Sequence, residues 1–489
     1  MAMRRTHKAA EKYVARLLCR HSHALAASPD ERFQRYNSSG ASATVDHSAI
    51  LRSPQTRITT LANGMRVASE SNLSAETATV GVWIDAGSRF ETASTNGTAH
   101  FLEHMMFKGT KRRSQRQLEE EIENMGAHLN AFTSREHTAY FAKALKRDVP
   151  AALDILADIL QNSAFNPSKI ERERHVILRE MQEVESQMQE VLFDRLHEAA
   201  FRYSSLGRTI LGPPDNIETI SRANLRNYIA THYTGPRMVV AAAGGVHHDD
   251  LVALAERSFR SISNSSISAA EYVKDSPACF TGSEVRILSD ELPLAHVAVA
   301  FEGASWTDPD SIALMIMQTM LGAWSKYHMA DNHGSELAQD VGANDLAESF
   351  MAFNTNYRDS GLFGVYAVAK PDKLDDLSAS IMQALTRLVH KVSPADVAKA
   401  QNQLKSFLLL SLDGTSAVAE DIGRQLLTYG RRIPLAEFFA RIDAVDTAAV
   451  KRVANRFIYD KDIVVASLGP AKNLPDHDWF RERTCWSRV

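Results

Sequence analysis

The stretch Asn96-Gly-Thr-Ala-His-Phe-Leu-Glu-His-Met-Met-Phe-Lys-Gly109 sits near the start of the folded part of a 489-residue chain. A Thr-Asn-Gly-Thr turn at 95–98 opens it, and Phe101, Leu102, Met105 and Met106 make the following helix apolar. Residues i and i+4 of a helix share a face, so His100 and His104 can offer ring nitrogens to one metal. Glu103, one position before the second histidine, can reach a water on that metal without binding it. Catalytic zinc takes three protein ligands, keeps one position open and lowers the pKa of its bound water to about 7. The order H-x-x-E-H is the inverse of H-E-x-x-H. Two surface histidines beside a glutamate are the bland alternative, but imidazoles and a carboxylate on a buried apolar helix need partners.

The third ligand should be a carboxylate elsewhere. Glu171-Arg-Glu-Arg-His-Val-Ile-Leu-Arg-Glu-Met-Gln-Glu-Val-Glu185 is acidic and free of proline and glycine, and reads as a long helix. Glu173 and Glu180, seven residues apart, fall on one face of it. For Glu173 a solvated helix face is the alternative.

The motif, the 76-residue spacing from His104 to Glu180, and Val176-Ile-Leu-Arg-Glu-Met-Gln-Glu-Val184 resemble the pitrilysin/insulysin superfamily of inverted zinc peptidases. Within it they resemble the beta-type chains of the mitochondrial processing peptidases. The resemblance implies an α+β fold of two homologous domains, each a mainly antiparallel sheet packed with helices. It also implies one zinc per chain held by His100, His104 and Glu180, with Glu103 as general base and Glu173 as an auxiliary catalytic carboxylate.

Internal repetition points the same way. Val80-Gly-Val-Trp-Ile-Asp-Ala-Gly-Ser88 resembles Val297-Ala-Val-Ala-Phe-Glu-Gly-Ala-Ser305, 217 residues later. Tyr140–Asp148 resembles Gly364–Asp372 at an offset of 224, and Val239–Gly244 resembles Val464–Gly469 at 225. A shared order at nearly constant offset indicates a duplicated domain. At offset 217, His100, Glu103 and His104 map to Met317, Met320 and Leu321, so the second copy cannot hold a metal in the same way. The expected organisation is a leader over 1–45, a metal-bearing domain over 46–262, a Ser-rich linker over 263–283 and a homologous domain over 284–489.

The leader is distinctive. Arg4, Arg5, Lys8, Lys12, Arg16 and Arg20 stand against one acid, Glu11, and on a helix most of these bases oppose Tyr13, Val14, Leu17 and Leu18. A basic amphipathic start poor in acids marks a mitochondrial transit peptide, and the family resemblance implies the matrix as destination. Arg35-Tyr36-Asn37 suggests a cut between Tyr36 and Asn37, within a window of 33–50. The net charge of −4 argues against a nucleic-acid partner. No apolar run approaches the ~18 residues of a membrane span. Cys19, Cys279 and Cys485 are too scattered for a disulfide framework.

Glu173, Glu180, Glu183, Glu185, Glu190 and Asp194 are expected on one continuing helix, with Asp194 within about 40° and Glu190 within about 80° of Glu180. Such an acidic groove suits basic presequence peptides. The resemblance implies that Glu190 and Asp194 take the arginine two residues before the cut, and that Asn130, Ala131 and Phe132 belong to a peptide-binding edge strand. It implies that Phe107 lines the pocket after the scissile bond. Leu321-Gly-Ala-Trp-Ser325 lacks the glycine-rich loop of the alpha-type chains, so an alpha-type partner is implied. The implied activity is a zinc endopeptidase that removes transit peptides. The rival reading is a core scaffold subunit of the respiratory cytochrome bc complex, with association there possible for an active enzyme as well. A general insulysin-type peptidase is disfavoured, since those chains carry four such domains.

Overall fold

The computed structural model describes residues 54–264, 268–327 and 334–485. The expected leader and its cut site lie outside these residues. Asn63-Gly64 reverses the chain between β1 (Arg57–Thr60) and β2 (Arg66–Ser71), with Gly64 at a φ of 83°. β3 (Thr77–Ile84), β4 (His128–Thr133), β5 (Thr138–Leu145) and β6 (Met238–Gly244) complete a sheet of order β1-β2-β6-β3-β5-β4. The second sheet comprises β7 (Glu284–Leu288), β8 (Ala295–Glu302), β9 (Ala323–Ser325), β10 (Ser349–Asn356), β11 (Gly361–Ala369) and β12 (Ile463–Gly469). Its order is β7-β12-β8-β11-β10-β9. Each sheet has one parallel pair, β2 with β6 and β7 with β12, and is otherwise antiparallel. The chain is an α+β protein of two like halves.

The registers test the duplication strand by strand. Val80 faces Ala242 in the first sheet and Val297 faces Ser467 in the second, which reproduces the offsets of 217 and 225. Val80 also faces Ala142, and Val297 faces Ala367, so β5 and β11 correspond at 225 and not at 224. β11 is buried almost throughout, so its sequence shows no alternation that would fix its register against that of β5, where Lys143 and Leu145 are exposed.

One face of each sheet is covered by its own half. Val80, Val82, Ile84, Tyr140 and Val240 meet the motif helix and the helix Val149–Asn162. The other faces are covered by exchange. Helix Met188–Ala200, from the first half, lays Leu192, Leu196, Ala199 and Ala200 against Ala298, Ala300, Val464 and Ala466 of the second sheet. Helix Thr415–Tyr429, from the second half, lays Ala419, Ile422, Leu426 and Leu427 against Ala68, Trp83, Val239 and Ala241 of the first.

Two expectations are corrected. The acidic helix does not continue to Asp194; it spans Pro167–Val184. The N–H groups of Ser186 and Gln187 close short turns onto the Glu183 and Val184 carbonyls, the Ser186 hydroxyl donates to the Glu183 carbonyl at 2.6 Å, and Gln187 leaves helical geometry at φ −92°, ψ 83°. The new helix must leave in order to reach the second sheet, so the 40° and 80° relations to Glu180 do not hold. The Ser-rich stretch is not bare linker either: Ser268 and Glu271 form a capping box on helix Ala269–Asp275, which buries Ala269 and Val273 against Phe90.

The exchanged helix meets the first sheet where it has no room to spare. A Cβ on Gly423 would come within 2.3 Å of the Trp83 ring. Gly423→Ala should destabilise the chain by about 1–3 kcal/mol through overpacking, despite the better helix propensity of alanine. Chemical denaturation followed by tryptophan fluorescence measures it; an unchanged midpoint would contradict the packing described.

Candidate metal centre

Gly97 enters the motif helix, Thr98–Met106, at a left-handed φ of 100° and caps nothing by itself. Buried Glu91 does the capping from outside. Its carboxylate accepts the Ala99 N–H at 2.6 Å, the Gly97 N–H at 2.9 Å and the Asn96 side-chain amide at 2.8 Å. A negative group at this end matches the helix dipole. Burial nonetheless pushes the Glu91 carboxyl up to about 7, against the pull of these donors. No sequence pattern marks this residue, because it lies several positions before any capping-box spacing.

On the helix, the His100 and His104 rings lie 4.8 Å apart by centroid. His100 Nε2 is 3.6 Å from Glu180 Oε1, and His104 Nε2 is 3.2 Å from Glu180 Oε2. One ligand atom from each of the three residues falls within 4.8 Å of the others. Zinc bonds of about 2.0–2.1 Å at tetrahedral angles set ligand atoms about 3.3–3.4 Å apart. The donor set therefore fits a zinc ion with mixed nitrogen and oxygen ligands. Hydrogen bonds from His100 and then His104 hold the Glu180 carboxyl well below its usual range. Burial disfavours charge on His104, but Glu180 and Glu173 outweigh it and raise its pKa.

Glu173 is only 4% exposed. It lies between His104 Nδ1 at 3.4 Å and Lys108 Nζ at 2.9 Å. A carboxylate on Nδ1 orients the ring so that Nε2 faces the ligand cluster, where it would be the nitrogen that binds a metal. Lys108, which no motif in the sequence points to, pairs with that carboxylate from the other side. Glu103 projects from the same helix and accepts a hydrogen bond from the Thr133 hydroxyl at 2.6 Å.

The expected substrate residues divide. β4 ends the first sheet, with no strand beyond it among the described residues. Exposed Asn130 turns its side-chain oxygen onto the Ala131 N–H at 2.8 Å, sealing part of that edge. Phe132 lies on the face turned away from the motif helix, against the cluster that holds Val418, whereas Leu129 and Ala131 face the motif-helix side. Phe107 ends the motif helix with its ring 6.2 Å from that of Tyr140. Glu190 and Asp194 lie on the exchanged helix and not on that of Glu180. Glu190 is exposed, whereas Asp194 is paired with Arg135 at 2.7 Å.

Comparison with known proteins identifies the family. Residues 66–214 match the family model described as insulinase (peptidase family M16), and residues 219–404 match the one described as the peptidase M16 inactive domain. The chain belongs to peptidase family M16. It is a metallopeptidase of that family. A protein from Arabidopsis thaliana named probable mitochondrial-processing peptidase subunit beta is 63% identical over 94% of this chain and 87% of its own length. The mitochondrial-processing peptidase subunit beta of Homo sapiens is 52% identical over 90% of this chain and 89% of its own. Among solved structures, a chain of Complex III2 from Candida albicans, with Inz-5 bound, is similar at a TM-score of 0.79 and 26% identity, over 88% of this chain and 99% of that one. The M16 inactive-domain match includes the second-half helix Ser311–Leu321, whose Met317 and Leu321 are buried in the core where the first half has its imidazoles.

His100→Ala and Glu180→Gln should each lower bound zinc severalfold or more with little change in circular dichroism, since neither side chain supports a sheet core. Atomic absorption on the purified chains measures this; full occupancy in both variants refutes the ligand set. Glu91 gives a pH test. Its folded pKa of about 7 lies above the ordinary 4.5, so between these values the folded state keeps a proton that the unfolded state loses. Its contribution to stability is therefore greatest at low pH and declines as pH rises through about 7. The difference in Tm between the native chain and Glu91→Gln should shrink as pH rises from 5 to 7 and level off above that.

Proposed function

We propose that this M16 metallopeptidase is the catalytic, beta-type subunit of a mitochondrial processing peptidase. It would remove N-terminal transit peptides from imported precursors in the matrix, working with an alpha-type partner. The reading rests above all on the convergence of His100, His104 and Glu180, with Glu103 beside them, in a chain so similar to relatives of that name. Zinc at the three ligands would supply a more acidic water and polarise the scissile carbonyl.

The chain's own residues supply the rest. Glu103 accepts the proton of the attacking water and returns it to the departing amine. Glu173 and Lys108 keep the His104 ring turned towards the ligand cluster. β4 takes the peptide as an added strand, for which the Asn130 side chain must release the Ala131 N–H. Phe107 borders the pocket beyond the cut. Glu190 and Asp194 read the arginine two residues before the cut, and that arginine must compete with Arg135 for Asp194.

The similarity to a chain of Complex III2 supports a second role, as a core scaffold subunit in the respiratory bc complex. A scaffold alone has no use for the full ligand set, so that role adds to the peptidase reading. Glu103→Gln discriminates. In the chain assembled with its partner, zinc content should stay normal while turnover of a presequence peptide falls about 10²–10⁴-fold. Normal turnover in that variant would overturn the mechanism.

A further inference from the structure

The bond from Thr133 to Glu103 joins two parts of the site that the sequence treats as separate. Thr133 is the last residue of β4, and Glu103 lies on the motif helix. The Thr133 hydroxyl donates to Glu103 Oε2 at 2.6 Å, a short bond of the charge-assisted kind. Two phenol hydroxyls also stand near this carboxylate. Those of Tyr140 and Tyr233 lie 3.3 Å from each other, and burial, with a contribution from the charge of Glu103, keeps both protonated. Among the described residues only Thr133 hydrogen-bonds the Glu103 side chain. One carboxylate oxygen is thereby fixed and the other is left to take a proton.

The donor is itself held firmly. Threonine in a strand has few χ1 options. Just beyond it, the turn at Ser134–His137 is pinned from several sides. The Ser88 and Arg89 N–H groups donate to the Ser134 and Arg135 carbonyls at 3.2 and 2.8 Å. Glu136 is paired with buried Arg89 at 2.7 Å and accepts the Arg358 backbone N–H at 3.1 Å. Arg89 also binds Asp359 through two bonds of 2.7 Å. The second half thus anchors the end of the strand from which Thr133 reaches the carboxylate.

The duplication supplies an internal comparison. Ala131 faces Tyr140 in the first sheet, and Ala352 faces Val365 in the second, so Thr133 corresponds to Asn354. Glu103 corresponds to Met320. Both members of the pair are replaced in the half that has no ligand set, and the side-chain oxygen of Asn354 is buried without a hydrogen-bond partner.

We infer that Thr133 is a positioning residue that aims the Glu103 carboxylate, so that the strand expected to take the peptide also sets the base. This rests on the reading of Glu103 as the general base. The test uses the chain assembled with its partner and a presequence peptide, with Thr133→Val, Thr133→Ser, Glu103→Gln and the Val/Gln double variant. Thr133→Val keeps shape and strand propensity; Thr133→Ala stands in for it should the valine chain fail to fold. The expected result is a loss in kcat of about tenfold to a hundredfold with KM within twofold and zinc content unchanged, recovered in Thr133→Ser. In the Glu103→Gln background the same valine substitution should cost nothing further. An unchanged kcat in Thr133→Val, a change confined to KM, failure of serine to restore the rate, or an equal loss in both backgrounds overturns the inference. Normal turnover in Glu103→Gln alone would instead overturn the function on which it rests.

Discussion

A sheet that is apolar on both faces must be covered twice, and this chain meets that requirement by trading helices. Ala68, Val239 and Ala241 alternate with Val67, Val240 and Ala242, so neither face of the first sheet can meet water. The second sheet has the same problem with Ala298, Ala300, Val464 and Ala466. Each half supplies one cover for itself and one for its neighbour. Removing either half would expose a contiguous apolar sheet face on the other, well beyond the patch sizes that soluble surfaces tolerate. The halves are therefore one folding problem, although each has its own sheet.

This dependence accounts for features that otherwise look unrelated. The acidic helix must stop at Val184 because the next segment is needed on the second sheet. Asp194 travels with that segment and pairs with Arg135, beside the β4–β5 turn. Arg358 and Asp359 come back from the second half to bind Glu136, Asp85 and Arg89. Charges this deeply placed are worth little as net stability when paired and are costly when unpaired, so they act chiefly to fix alignment. What they align is the end of the strand next to the metal cluster.

Much of this was legible in the sequence. The motif helix and the hairpin at Asn63-Gly64 were readable because each rests on local spacing that chain geometry converts directly into placement, whereas Glu180, 76 residues beyond His104, was singled out from Glu173 only by the family resemblance. The duplication was readable from order and offset, but its exact register at β5 and β11 was not, since β11 is buried almost throughout and offers no alternation to set against that of β5. The helix break at Glu185–Gln187 was hidden because those residues are acceptable in a helix; what ends it there is a distant sheet. Glu91, Lys108 and Thr133 act across the fold, and nothing in their immediate neighbours announces it. Arg135 shows the limit most clearly: Asp194 was read as free to take a substrate arginine, and the fold provides an arginine of its own.

The two sheets also differ in a way that bears on why only one half does chemistry. In the second, β9 lies along β10, with Trp324 opposite Phe350 and Ser325 opposite Ser349. By the register of the two sheets these positions correspond to Leu129 and His128 of β4. A strand of the chain itself thus covers, in the second sheet, the edge that no strand covers in the first among the described residues. An open edge invites unwanted pairing, and β4 blunts it only with the Asn130 side chain on one N–H. Keeping such an edge is a liability unless something is meant to pair with it. The half with Met317, Met320 and Leu321 in place of His100, Glu103 and His104 has its edge covered, while the half with the ligand set has none of the described strands on its edge. Ligand set and free strand edge persist together or vanish together, as expected if both serve one extended peptide.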